Sequence, residues 1–314
     1  MKQNTLFQEF NIIGGYIGEY LLKYRNLLKL DSTVLITGET GTGKELIARW
    51  IHFMDETRKD RPFVKITIPN IGENIFESEV FGYEKGAFTG AISSKKGLIE
   101  VGENGTIFLD EIENASPSIQ SKLLQLLEDR IYRKVGGTEY MSTEARFIIA
   151  TNVDLYEEVK QGRFRSDLYY RLAVLDIRLP SLNDRNEDIV EIANYYINKF
   201  NQKFGKSIHP FEGAASKELL AYKWSGNIRE LRNFIEKQMV FAESDTLDLS
   251  ELKSRGVFAD NRDIGYREYM NRIEKEYIEK AYRQKDGKVE EVAETLGMSV
   301  PFVYKKLKEH QIGL

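Results

Sequence analysis

The residues Gly38-Glu39-Thr40-Gly41-Thr42-Gly43-Lys44-Glu45 fit the spacing G-x4-G-K, between an apolar run ending at Thr37 and a helical pattern. Glycines at these intervals let successive backbone N–H groups turn inward around phosphate oxygens, and a following helix adds favourable potential at its N-terminus. Lys44 supplies a point charge for the β- and γ-phosphates of a nucleotide. Glu45 stands where this loop usually carries a serine or threonine for magnesium. A second pair of groups closes an apolar run, Gly105-Thr106-Ile107-Phe108-Leu109-Asp110-Glu111. Asp110 is placed to hold magnesium, directly or through water, and Glu111 to polarise an attacking water. Together the two segments point to hydrolysis of a nucleoside triphosphate.

Phosphoryl transfer depends on positioning and charge neutralisation more than on covalent chemistry. Asn152, just past the run Phe147 to Thr151, can hydrogen-bond a γ-phosphate or the water. Arg165 and Arg171, in GRFRSDLYYR, can stabilise transition-state charge or lie solvated on a helix.

These groups need a scaffold. Thr33–Thr37, Phe63–Ile66, Thr106–Leu109 and Arg146–Ala150 read as buried strands. Helical spacing covers Lys44–Met54 and Pro117–Leu127, so strand and helix alternate as in a parallel α/β sheet. Residues 1–182 form this α/β part. From 183 to 245 helical periodicity alone remains, as in Asp188–Phe200 and Asn227–Phe241, predicting a small helical subdomain. Residues 246–262 read as a polar linker, and 263–314 as a further all-helical domain.

Two segments lie outside the nucleotide chemistry. FGYEKGAFTGA (81–91) carries three glycines, Gly82, Gly86 and Gly90, around a large ring, Phe88. A phenylalanine on such a loop is either folded back into a core or held out for a partner. Near the C-terminus, Val289 to Lys308 has helix-turn-helix form. Val289, Val292, Ala293 and Leu296 mark an apolar face, Gly297 makes the turn, Ser299 can cap the second helix and Pro301 falls in its first turn. Any two short helices joined at glycine share this form. As a DNA reader it would place Ser299, Phe302, Tyr304, Lys305, Lys306 and Lys308 toward the major groove and its phosphates. Residues 263–314 hold ten Lys/Arg and ten Asp/Glu, so affinity would depend on avidity through a dimer or ring.

The chain resembles the AAA+ family of bacterial enhancer-binding proteins, the activators of sigma-54 RNA polymerase. The likeness runs from about Ile13 to Gly313. It rests on GAFTGA (Gly86, Ala87, Phe88, Thr89, Gly90, Ala91), GETGTGKE (38–45), GTIFLDEI (105–112), ATN (150–152), GRFRSDLYYRL (162–172) and SGNIRELRN (225–233). The resemblance implies a P-loop AAA+ α/β domain, a helical lid and a C-terminal helix-turn-helix domain. It further implies an ATPase using ATP and Mg2+, with Phe88-Thr89 touching sigma-54 holoenzyme and the C-terminal domain on upstream double-stranded DNA. Arg165 and Arg171 match arginines presented to a neighbouring subunit's nucleotide, and Arg229 matches the second-sensor arginine of the lid. The assembly implied is a homo-oligomer, a dimer rising to a hexameric ring. Glu45 follows the lysine in this family too. Where the family has an asparagine that restrains the catalytic glutamate, this chain has Thr67, whose hydroxyl has shorter reach and fewer donors.

Composition narrows the class. The 314 residues carry a net charge of −4, no cysteine, and three widely separated histidines (His52, His209, His310), which leaves no thiolate metal site or disulfide framework. MKQNTLFQEFNIIGG lacks the basic start and apolar core of a signal peptide, and no apolar run approaches a membrane span, so the expected location is cytoplasmic. About a dozen residues precede the ATPase part. The expectation is control in trans by an inhibitor or sensor protein, or else a trimmed chain. A replication-initiator-like ATPase would have no use for Phe88-Thr89. A nucleotide-responsive DNA-binding regulator with little turnover is the alternative, with Thr67 as its best support.

Overall fold

The computed structural model describes residues 12–26, 30–242, 244–252, 274–275, 278–279, 281–283, 285, 287–310 and 312. Two compact units divide the chain, residues 1–249 and 250–314.

In the first unit, five strands form one sheet in the order β2-β5-β8-β1-β9, every neighbouring pair parallel. They are β1 (Val34–Thr37), β2 (Phe63–Thr67), β5 (Thr106–Asp110), β8 (Arg146–Thr151) and β9 (Leu175–Arg178). β5 is buried along Thr106–Leu109 and β8 throughout, which is why both read as unbroken apolar runs. β9 was not among the expected strands. It lies at the sheet edge and alternates, with Ile177 buried and Asp176 and Arg178 exposed, so it offers no apolar run.

Helices α1 (Gly15–Leu22), α2 (Lys44–Met54), α3 (Glu73–Val80), α4 (Leu98–Val101), α5 (Pro117–Asp129), α6 (Leu155–Lys160) and α7 (Ser166–Leu172) accompany the sheet. One apolar cluster joins Phe76, Leu109, Leu123, Phe147 and Leu168; a second joins Ile17, Ile36, Trp50, Phe108 and Ile177. Two small antiparallel pairs stand apart from the sheet, β3 (Gly82–Tyr83) with β4 (Lys95–Lys96), and β6 (Ile131–Tyr132) with β7 (Met141–Ser142).

The helical part contains α8 (Glu187–Phe204), α9 (Gly213–Ala221) and α10 (Asn227–Phe241), with Ile189, Ile197, Trp224, Leu231 and Ile235 buried. Leu249, expected in the linker, is buried within the first unit, and residues 250–252 are helical; residues 253–262 lie outside the described residues.

The second unit contains α11 (Val289–Leu296) and α12 (Val300–Glu309) around Ile278, Val292, Val303 and Leu307. Gly297 ends α11 in the left-handed conformation at φ 63°, as a C-terminal glycine does. Ser299 occupies the cap position of α12 in extended backbone, but its side chain accepts no capping hydrogen bond, contrary to expectation. Among the described residues no helix is long and apolar enough to cross a membrane.

Candidate nucleotide and partner-contact sites

β1 delivers the chain to the phosphate loop, and α2 starts at Lys44. Gly38, Gly41 and Gly43 take positive φ values of 155°, 82° and 102°, which side-chain-bearing residues rarely adopt. Thr42 Oγ1 donates to Glu39 O at 2.8 Å, tightening the turn. Lys44 Nζ donates to Gly38 O at 2.7 Å and Glu39 O at 3.1 Å, folded back on its own loop. Burial depresses the Lys44 ammonium below the usual lysine range; Asp110, Glu113 and Glu111 pull it up, and Arg229 pushes it down. All four charged groups are thus within electrostatic reach of the lysine, and Arg229 itself is exposed.

β5 brings Asp110 and Glu111 to the same end of the sheet. Glu111 sits in the left-handed region at φ 59°, ψ 49°, a conformation that for a non-glycine residue stores strain and aims the side chain off the strand. Asp110 is paired with Lys65 Nζ at 3.2 Å, and the same Nζ contacts Glu45 at 2.7 Å. Glu45 also accepts from Arg49 at 2.8 and 3.1 Å. Burial works against the Glu45 charge, yet Lys65 and Arg49 hold its carboxyl below the usual range. Likewise burial opposes the Lys65 charge, and Glu45 and Asp110 overcome it and raise the ammonium. Lys65 was not among the expected site residues.

Thr67 ends β2 directly opposite Asp110 in register. Among the described residues its hydroxyl makes no hydrogen bond to Glu111. Both Glu113 carboxylate oxygens are buried with no hydrogen-bond partner among the described residues, an acid near Lys44 that sequence reasoning passed over. Asn152 emerges exposed after β8 and lines a cavity of about 460 Å³ shared with Gly38, Glu39 and Asp176. Burial pushes the Asp176 carboxyl up, against a hydrogen bond from the Thr37 hydroxyl. On the other side of the loop, Ile17, Gly43, Leu46, Tyr195 and Ile228 line a narrow, largely apolar cleft.

Arg165 and Arg171 spend their hydrogen bonds inside the chain. Arg165 caps α7 by position and reaches Asp167 at 2.7 and 3.0 Å and Ser121 at 3.0 Å. Arg171 donates twice to Leu127 O, at 3.1 and 2.8 Å, near the C-terminus of α5. Gln120, fully buried, holds the turn that leads into α7: it donates to Ala115 O and Arg163 O and accepts from Arg165 N–H.

The glycine-rich loop turns on itself, with Gly86 N–H donating to Ala91 O at 2.9 Å and Ala91 N–H to Phe88 O at 3.0 Å. Gly86 and Gly90 have φ of 85° and 106°, and a Cβ on either would meet nothing within 4 Å. Thr89 is exposed; Phe88 is 47% exposed and leans edge-on against Tyr83, ring centres 5.0 Å apart. The ring is thus outside both apolar clusters. At the neck, Val135 N–H donates to Gly82 O at 2.9 Å and Val135 O accepts from Glu84 N–H at 3.0 Å, tying the loop to the β6–β7 hairpin.

The residues matched are decisive. Residues 16–178 match the family described as the Sigma-54 interaction domain. The chain belongs to that family. Residues 183–263 match the AAA+ ATPase lid domain, and 269–310 the bacterial regulatory protein, Fis family. This sigma-54 interaction domain chain is 43% identical over 233 residues to the Nif-specific regulatory protein of Azotobacter vinelandii, covering 74% of this chain and 44% of that protein. To the regulatory protein AtoC of Escherichia coli it is 40% identical over 296 residues, 90% of this chain and 63% of AtoC. The chain thus spans about half the length of the curated relatives it matches. Among solved structures, NtrX from Brucella abortus superposes with a TM-score of 0.69 at 28% identity, covering 99% of this chain and 71% of that one. A complex of NtrX with ATP gives 0.68 at 30% identity, covering 95% and 68%.

In the Fis-family unit, Phe302, Tyr304, Lys305 and Lys308 are exposed on α12. Lys306 is not presented with them: its side chain is 17% exposed and paired to Glu274 at 2.9 Å and Glu309 at 2.8 Å. His310 meets the same Glu274 at 3.1 Å, so this edge of α12 is internal support.

Proposed function

We propose that the chain is an ATP-hydrolysing transcriptional activator that works on sigma-54 RNA polymerase holoenzyme while bound to upstream double-stranded DNA. The observation that carries this reading is the presence, on one α/β scaffold, of a phosphate loop and a GAFTGA loop whose Thr89 is exposed and whose Gly86 and Gly90 are unpacked. ATP binds with its phosphates along Gly38–Glu45 and its base in the apolar cleft of Ile17, Leu46 and Tyr195. Glu111 orients the attacking water, and Asn152 and Arg229 meet the γ-phosphate. Asp110 holds Mg2+. Magnesium takes one or two carboxylates and completes its shell with phosphates and water, a role that Asp110 at the end of β5 suits.

Arg165 and Arg171 serve the nucleotide of a neighbouring copy, in a closed head-to-tail ring. Their present partners, Asp167 and Leu127 O, keep them ordered in the isolated chain. Exposed Phe302, Tyr304, Lys305 and Lys308 face DNA, with Lys306 bracing the helix. The work is cytoplasmic, and a sensor or inhibitor in trans supplies the signal.

The test is sigma-54-dependent open-complex formation on supercoiled promoter DNA with wild type and Thr89→Ala. The variant hydrolyses ATP at the wild-type rate and opens no promoter; normal opening by it rejects this account of the loop. ATP turnover that persists in Lys44→Ala or Glu111→Ala rejects the assignment of the hydrolytic residues.

A further inference from the structure

The phosphate loop is gripped from the helical subdomain by a residue whose role the matched motifs leave unassigned. Asn227 is fully buried, opens α10, and takes the left-handed conformation at φ 53°. Asparagine is among the few side-chain-bearing residues that tolerate this backbone. Its Oδ1 accepts from Leu182 N–H at 2.6 Å, and its Nδ2 donates to Glu39 Oε2 at 2.9 Å and Thr40 O at 3.1 Å. Both amide N–H donors are therefore spent on the phosphate loop, and the carbonyl is spent on the entry to the helical subdomain. Arg185, also buried, adds a second grip by donating to Thr42 O at 3.0 Å.

This grip leaves little play. A Cβ on Gly41 would lie 2.3 Å from Gly226 O and 3.0 Å from Arg229 Cβ, so the loop and the start of α10 touch through backbone. Arg229 follows Asn227 by two residues on the same helix, at the edge of the loop. Glu39, meanwhile, is a carboxylate on a loop built for phosphate anions, and Asn227 holds that carboxylate toward the helical side.

We propose that Asn227 is a positioning residue: through Glu39 and Thr40 it registers Arg229 against the phosphates of the bound nucleotide. With the contact made, Arg229 stands over the loop; with it broken, Arg185 and the backbone contact at Gly41 remain while Arg229 loses its register. The inference rests on the reading of residues 38–45 as the ATP site.

The test uses the full chain, a fluorescent ATP analogue and steady-state hydrolysis. Asn227→Ala alone would orphan the buried Leu182 N–H and could weaken the fold. Glu39→Ala removes the side-chain half of the contact from the loop side and leaves only the bond to Thr40 O. Glu39→Ala and Arg229→Ala are each expected to weaken analogue binding about tenfold, and the double variant no more than about twofold beyond either, because coupled residues are non-additive. Losses that multiply, or no loss with Arg229→Ala, overturn the proposal. In the swap, Asn227→Asp sets carboxylate against carboxylate and raises KM; adding Glu39→Gln restores a donor and recovers most of that loss. No recovery in a double variant that melts at the wild-type temperature also overturns it. Lys44→Ala separates the two readings. If it leaves analogue binding intact, the ATP site is elsewhere; if it abolishes binding while the cycle is additive, only the role of Asn227 falls.

Discussion

The phosphate loop and the GAFTGA loop are both built on glycines at positive φ, and they use them in opposite ways. At Gly41 the missing side chain is filled by Gly226 O, so the glycine admits a neighbour. At Gly86 and Gly90 the space is open, so the glycine admits only conformational freedom. One loop is clamped by Asn227, Arg185 and the start of α10. The other is held at its neck, by its own short turns and where Ala87 lies against Gly136 of the β6–β7 hairpin, while its tip at Phe88-Thr89 is exposed. Glycine content alone therefore says nothing about rigidity; what surrounds the absent Cβ decides it.

Substitution at these positions tests that contrast. Gly41→Ala combines a left-handed backbone, costing roughly 1–2 kcal/mol, with a clash against backbone that cannot swing away. Nucleotide binding is expected to fall at least about a hundredfold, read by titration with the fluorescent analogue; a loss under about threefold would show that the clamp is loose. The next effect belongs to the metal side of the same loop. Lys65→Met removes the cation 3.2 Å from Asp110, and about 1 kcal/mol of charge interaction translates to roughly fivefold tighter Mg2+. The Mg2+ midpoint of analogue binding should drop accordingly, while Lys65→Arg leaves it in place. Smallest is Gly86→Ala, which meets no neighbour and costs only backbone strain of about 1 kcal/mol. Hydrolysis should stay within about twofold and the melting temperature within about 4 °C, as for a domain of this size. A large loss of hydrolysis there would mean that the open loop is linked to the phosphate site more tightly than its packing indicates.

The parts legible in the sequence are those written in contiguous residues. Four strands of the sheet, the phosphate loop and the acid pair at the end of β5 all follow from local pattern. β9 was hidden because Leu175-Asp176-Ile177-Arg178 shows the core only one face. The contacts of Lys65, Arg185 and Asn227 were hidden for a different reason: the partners named above lie 20 to 188 residues away, and even the motif that contains Asn227 does not announce its partner. Lys306 illustrates the converse. It reads like its neighbours Lys305 and Lys308, but the rotation of α12 against the helical residue Glu274 turns it inward, a fact carried by packing rather than by charge. For Thr67 the family resemblance suggested a tether for Glu111; its register partner on β5 is the preceding residue, Asp110, a placement set by strand pairing rather than by local pattern.

The two hydrogen bonds of Val135 have a mechanical consequence. They flank Tyr83, one to Gly82 and one from Glu84, so the neck of the GAFTGA loop and the β6–β7 hairpin are yoked. A pull applied at Phe88 along the chain loads both bonds together, in shear, and the hairpin must travel with the loop. Ala87 adds a third tie, lying against Gly136 of the same hairpin, and leaves Phe88 and Thr89 exposed beyond it.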